Sequence, residues 1–177
     1  ANLTSATAPA SPNADAIFNP FGLTVDAPGN VYVADGGFDR VVVFQKPLAT
    51  GGGTPGTPGS KGDRTADRLF GKASFTTASG CNQYNGSPVR NAQSLCGPSD
   101  VAVDASGSLW VVDPGSGNHR VLRFDAPLSG DDTADAVIGQ PDFVLSGSTC
   151  GNPVRSASGF CFPDSVASDP AGNLWVS

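Results

Sequence analysis

The feature that most constrains this chain is that it contains one stretch nearly three times. Residues 98–124 carry Val103-Asp104-Ala105-Ser106-Gly107-Ser108-Leu109-Trp110-Val111-Val112-Asp113 and then Arg120-Val121-Leu122-Arg123-Phe124. An earlier copy at 20–44 reads Val25-Asp26, Gly29-Asn30-Val31-Tyr32-Val33-Ala34-Asp35 and Arg40-Val41-Val42-Val43-Phe44. A later copy begins at Pro163, runs through Asp169 and Gly172-Asn173-Leu174-Trp175-Val176, and stops inside the repeat at Ser177. The apolar runs are short, rich in Val, Leu and aromatics, and separated by Asp-Ala-Pro-Gly and Gly-Gly-Phe-Asp, which is turn chemistry. They predict antiparallel strands: A at 22–26, B at 30–35, C at 40–45 and D at 66–70 in the first copy.

The spacing sharpens this reading. Asp26 lies 78 residues before Asp104 and Asp104 lies 65 before Asp169, and most of the difference is the Gly- and Thr-rich insertion at 50–61 in the C-to-D loop. The second copy has only Ser129-Gly130-Asp131-Asp132 there, and flexible loop length is entropically cheap. A four-stranded unit at this period is what a β-propeller blade looks like; such a sheet cannot bury both faces alone and must stack on neighbours. The expected class is therefore all-β, with about three blades' worth of sequence, which a second copy or missing sequence of equal extent would double to a six-bladed ring. The predicted organisation is blade 1 at 19–71, blade 2 at 98–139 and the start of blade 3 at 163–177, with connectors at 72–97 and 140–162. Residues 1–18 are either strands C and D of a split blade, at 1–7 and 13–18, or an extended tail.

Composition excludes some partners. The net charge is -6, and all 16 acidic residues are Asp, so a phosphate backbone would be repelled and no nucleic-acid partner is expected. Gly (23) and Pro (15) exceed a fifth of the chain, which favours turns over helices. No run reaches the roughly 18 apolar residues of a membrane span, and no signal peptide stands at the start, as in a mature chain.

The turn pattern at 103–113 followed by Gly117-Asn118-His119-Arg120-Val121-Leu122 resembles the NHL-repeat family of β-propellers; the first copy has Phe38-Asp39-Arg40 at the signature position. The connector Val137-Ile138-Gly139-Gln140-Pro141-Asp142-Phe143, echoed by Leu69-Phe70-Gly71-Lys72-Ala73-Ser74-Phe75, is similar to that of secreted, long-insert members. The resemblance implies the fold and is nearly silent on activity, since these propellers host enzymes, binding modules and scaffolds alike.

Four cysteines fall in the D-to-A connectors, and the repeat register makes Cys81 equivalent to Cys150 and Cys96 to Cys161. Local bridges Cys81–Cys96 and Cys150–Cys161 are expected, implying an extracellular compartment. Strand alternation places these connectors on one face with the B-to-C turns, where Tyr84, Arg90, Arg155 and Phe160 form the candidate binding face. Asn2 and Asn85 head two sequons, and the threonines of 50–57 are candidate O-linked sites.

His119 is the lone histidine and is expected to be structural, so the ligands of a zinc lyase are not supplied, and the Glu typical of a calcium-dependent lactonase is missing. Asp26, Asp104 and Asp169 read as turn caps, as do Asp35 and Asp113. No cofactor is expected; Asp131, Asp132 and Asp135 are the candidate Ca²⁺ ligands, at a spacing that matches no known loop. Strand A residues Leu23, Val25, Val101, Val103 and Val166 are expected to point into the central channel. The function these readings favour is a secreted, non-enzymatic scaffold or binding module, partnered by itself, by the remainder of a longer chain, or by extracellular protein or carbohydrate. The alternative is a lyase or hydrolase using the channel.

Overall fold

The computed structural model describes residues 11–50, 57–60, 62–78, 80–144 and 157–177. The strands form where β-branched and aromatic residues alternate or cluster: β1 (Pro20–Val25), β2 (Val31–Asp35), β3 (Arg40–Phe44) and β4 (Arg68–Phe70) make one sheet in that order. β5 (Asp100–Val103), β6 (Leu109–Asp113), β7 (Arg120–Phe124) and β8 (Ala136–Ile138) repeat it, and β9 (Val166–Ser168) with β10 (Leu174–Val176) begins a third. The pairings between these ten strands are antiparallel. The chain is thus all-β, built of four-stranded propeller blades.

Each A-to-B turn is closed by a glycine at positive φ: Gly29 at 95°, Gly107 at 87° and Gly172 at 87°. An L side chain strains that conformation whatever space surrounds it. The Asp before each turn is its cap. Asp26 accepts the Asn30 N–H at 2.7 Å, Asp104 the Ser106 and Ser108 N–H at 2.9 and 3.0 Å, and Asp169 the Asn173 N–H at 2.8 Å.

The core lies between blades. Strand alternation sends Tyr32, Ala34, Val41, Val43 and Phe70 from the first sheet against Val101, Leu109, Val111, Leu122 and Phe124 of the second. Ala102, Val112 and Val121 on the opposite side of the second sheet pack on Val166, Leu174 and Val176. This corrects the channel expectation for the A strands: Val101 and Val166 are inter-blade core, because face-to-face stacking of sheets turns alternate side chains toward the neighbouring blade. Leu23 and Val25 are exposed on a face of the first sheet that no blade covers among the described residues.

Residues 13–18 are not a strand. They form a turn that matches 91–96, the end of the next connector, rather than strand D. The Ala66 N–H donates to the Ala14 carbonyl as the Ala134 N–H does to that of Ala92, both at 2.9 Å. Asn13-Ala14 repeats Asn91-Ala92 just as Ala14-Asp15-Ala16 repeats Ala134-Asp135-Ala136, and the shared hydrogen bond decides between the two matches. Residues 1–7 lie outside the described residues.

Candidate functional site

The least expected feature is a buried ion pair at each B-to-C corner. Arg40 donates through Nε to Asp35 at 2.8 Å, and Arg120 to Asp113 at 2.8 Å, with all four side chains essentially without solvent contact. Each arginine then clamps two connectors. Arg40 donates to the carbonyls of Ala16 and Phe75 at 2.6 and 3.0 Å; Arg120 donates to those of Ser94 and Phe143, both at 2.7 Å. Each aspartate also accepts a connector N–H, Phe18 at 2.7 Å and Cys96 at 2.8 Å. Burial pushes both carboxyls up, opposed by these N–H groups and by the guanidinium. Asp35 and Asp113 are therefore anchors of the blade corner and not turn caps. The sequence signal for them was an Asp ending strand B with an Arg opening strand C in both copies.

The residue before each arginine, in left-handed conformation, reaches across to the following blade. Asp39 (φ 53°) accepts the Gly97 N–H at 2.8 Å, and His119 (φ 42°) accepts the Phe162 N–H on Nδ1 at 3.1 Å. His119 is buried, its ring edge-on to Phe162 at 4.4 Å. Burial, then Arg90, holds its imidazole below the ordinary value, with Asp113 opposing. At the first junction Lys72, also buried, lies 4.0 Å from Asp39 and donates to the Gly80 and Gln83 carbonyls at 2.7 and 3.0 Å.

The cysteine connector is stapled as expected at Cys81–Cys96. Cys161 is disulfide-bonded, while Cys150, its expected partner, lies outside the described residues, as do Arg155 and Asn2. Asp39 stands close to both Cys81 and Cys96, but the bonded sulfurs offer a metal no thiolate. The connector does not stay on one face. It runs from the B-to-C turns along the outer edge to the C-to-D loop of the second blade, where the Tyr84 hydroxyl donates to Asp132. Burial, then Asp132, pushes that phenol up to about 12. Arg90 donates to Asn118 Oδ1 and, at 2.7 Å, to the Ser116 carbonyl. Phe160 packs against the second core and over Gly139, where a Cβ would meet its ring at 2.2 Å. Of the four residues of the candidate binding face, the three described serve junctions between segments of this chain. Asn85 sits exposed at the connector's tip.

On the opposite face a cleft of about 400 Å³ opens between the first two blades, lined by Asp26, Pro28, Asp104, Pro127 and Leu128. A second, of about 290 Å³, joins Asp26, Asp104 and Asp169. Sequence reasoning missed these clefts, since each wall comes from a different repeat. Burial acts to raise the Asp104 carboxyl, and hydrogen bonds from Ser106, Trp110 and Ser108 outweigh it, holding it below the usual range. These carboxylates are occupied as turn caps.

Residues 95–124 match the family model of the NHL repeat. No curated protein matches the chain. Among solved structures it is similar to selenomethionine-substituted virginiamycin B lyase from Staphylococcus aureus, at 12% identity and a TM-score of 0.44. That match covers 89% of this chain, which spans 34% of the length of that one. With its signature segment matched and its sheets built as four-stranded antiparallel blades, the chain carries an NHL repeat within a β-propeller fold.

Proposed function

We propose that the chain is a secreted, non-enzymatic propeller scaffold that docks head to tail with further blades, those of a second copy included. The observation that carries this reading is the contrast between two equivalent faces. Leu23, Val25 and Leu48 on the first sheet's outer side are 65%, 56% and 86% exposed. Their repeat equivalents on the second sheet are Val101, 3% exposed, Val103 and Leu128, the latter two partly buried against the core made with the first blade. A face of the same design is therefore covered in one blade and open in the other, and fully burying an aliphatic side chain stabilises by about 1.5–3 kcal/mol. The natural cover is the trailing side of another such blade. The Cys81–Cys96 bridge supports secretion, since disulfides persist in oxidising compartments.

Light scattering on the purified chain tests the docking. Assemblies of 17.8 kDa chains are expected, and Leu23→Glu with Leu48→Glu should dissociate them. A monomer at all concentrations, unchanged by the double substitution, would overturn the docking. A native polypeptide of larger mass whose added sequence supplies the covering blade would assign that role to the same chain.

A further inference from the structure

We propose that the C-to-D loop of the first blade is a binding site for a hard divalent cation, Ca²⁺ by its donor chemistry, with Asp63, Ser60 and Asp67 as the protein's side-chain ligands. The inference comes from comparing two loops of the same design. Asp63-Arg64-Thr65-Ala66-Asp67 corresponds to Asp131-Asp132-Thr133-Ala134-Asp135. In both, the first Asp accepts the Thr N–H, at 3.0 Å from Thr65 and 2.9 Å from Thr133. In both, the last Asp accepts the N–H of the residue just after strand C, from Gln45 and from Asp125, each at 2.7 Å.

The loops part in burial. Asp131 and Asp135 are exposed, and Asp132 is taken by Tyr84 and Gln93, so these carboxylates serve the turn and the connector. Asp63 is 6% exposed, and its Oδ2 is buried without a hydrogen-bond partner. Ser60, three residues before Asp63 where the second loop has Leu128 three before Asp131, is 3% exposed, and its Oγ is likewise buried without a partner. The Asp63 N–H bonds the Ser60 carbonyl at 3.3 Å, which keeps the two residues within one turn. Two orphaned oxygens on one short turn, one of them a carboxylate's, call for a cation or a water, because buried polar groups are almost always satisfied.

Charge favours the cation. Asp67 accepts the Gln45 N–H on Oδ2, which leaves Oδ1 for a ligand. Asp15 accepts the Thr65 hydroxyl at 2.8 Å and adds negative charge beside the loop, without itself being a ligand. Among the described residues none of Asp15, Asp63 and Asp67 forms an ion pair. The donors are carboxylate and hydroxyl oxygens, with no nitrogen or sulfur among them, which suits Ca²⁺ and not zinc. Carbonyls and water complete the six to eight oxygens that Ca²⁺ takes in flexible geometry.

The test is calorimetric titration of the chelator-stripped chain with CaCl2, alongside thermal melts. Saturable binding of one Ca²⁺ per chain is expected, with a melting temperature that rises with Ca²⁺. Asp63→Asn should weaken binding by roughly tenfold or more, since ligand charge sets Ca²⁺ affinity. Ser60→Ala should weaken it less, and Asp131→Asn in the equivalent exposed loop should leave it unchanged. The Ser60→Ala titration decides if Asp63→Asn fails to fold. Absence of saturable binding, unchanged affinity in Asp63→Asn, or a loss in Asp131→Asn equal to that in Asp63→Asn would each overturn the site.

Discussion

The two junctions that follow the blade corners perform one task with different chemistry. At the first, Asp39 accepts the Gly97 N–H, and buried Lys72 stands beside it. At the second, His119 accepts the Phe162 N–H, and the position of Lys72 in the repeat is held by Gln140, whose side chain donates to the His119 carbonyl at 3.5 Å. An anion with a cation has been exchanged for an imidazole with an amide, while the backbone plan is unchanged. Repeat architecture thus requires an acceptor at the left-handed position and leaves its charge free, provided the partner changes with it. The first junction also gains the Gly80 N–H on Asp39 at 2.8 Å, whereas the second gains the edge-on contact of the His119 and Phe162 rings.

The largest effect should come from the corner the junctions share. Arg120→Met removes the guanidinium and leaves Asp113 buried without its cation, a change that costs about 3–5 kcal/mol. The urea midpoint should fall accordingly. Asp113→Leu with Arg120→Met should recover part of the loss, since the stranded charge is gone. A single substitution within about 1 kcal/mol of the parent would mean the ion pair does not clamp the connectors.

Next in size is the staple. Cys81→Ala with Cys96→Ala opens a loop whose ends are 15 residues apart, worth about 3 kcal/mol in the chain-entropy account. Amide exchange should accelerate at 80–97 and much less at 157–162. Equal acceleration at both would show that the junctions open together.

The strands, the turn glycines and the Cys81–Cys96 bridge were legible because each is written within one repeat. Val-rich alternation, Asp-x-x-Gly and two Cys in one connector need no knowledge of neighbours. What was missed lies between repeats. Arg40 and Arg120 look like ordinary strand-edge cations until the connectors wrap onto them. Tyr84 and Arg90 look like free recognition side chains until the C-to-D loop and the B-to-C turn arrive beside them. Leu23 and Val101 share a register position yet differ in exposure, because only the second has a blade in front of it. Asp63 and Asp131 share a motif, and the longer loop alone buries the first.

The smallest expected effect is also the most selective, a pH dependence confined to the second junction. His119 uses Nδ1 as an acceptor, so it is neutral there, and protonation removes the acceptor. Its folded value is depressed, by burial first and then by Arg90, so the unfolded chain takes up the proton before the folded one does. The sign follows: the contribution is fully present above the ordinary histidine value of about 6.5 and is lost as pH falls below it toward the depressed folded value. Arg90 opposes a charged ring and Asp113 favours it, and Asp113's carboxylate is already taken by Arg120, Asn118 and the Cys96 N–H. His119→Asn retains a side-chain acceptor at every pH and tolerates the left-handed backbone. Below pH 6.5 the parent should lose stability relative to this variant, by about 1 kcal/mol, the worth of one hydrogen bond. Because the buried aspartates titrate in both proteins, the difference between the two urea curves isolates the histidine. Parallel pH profiles would show that the acceptor role of His119 contributes nothing to the junction.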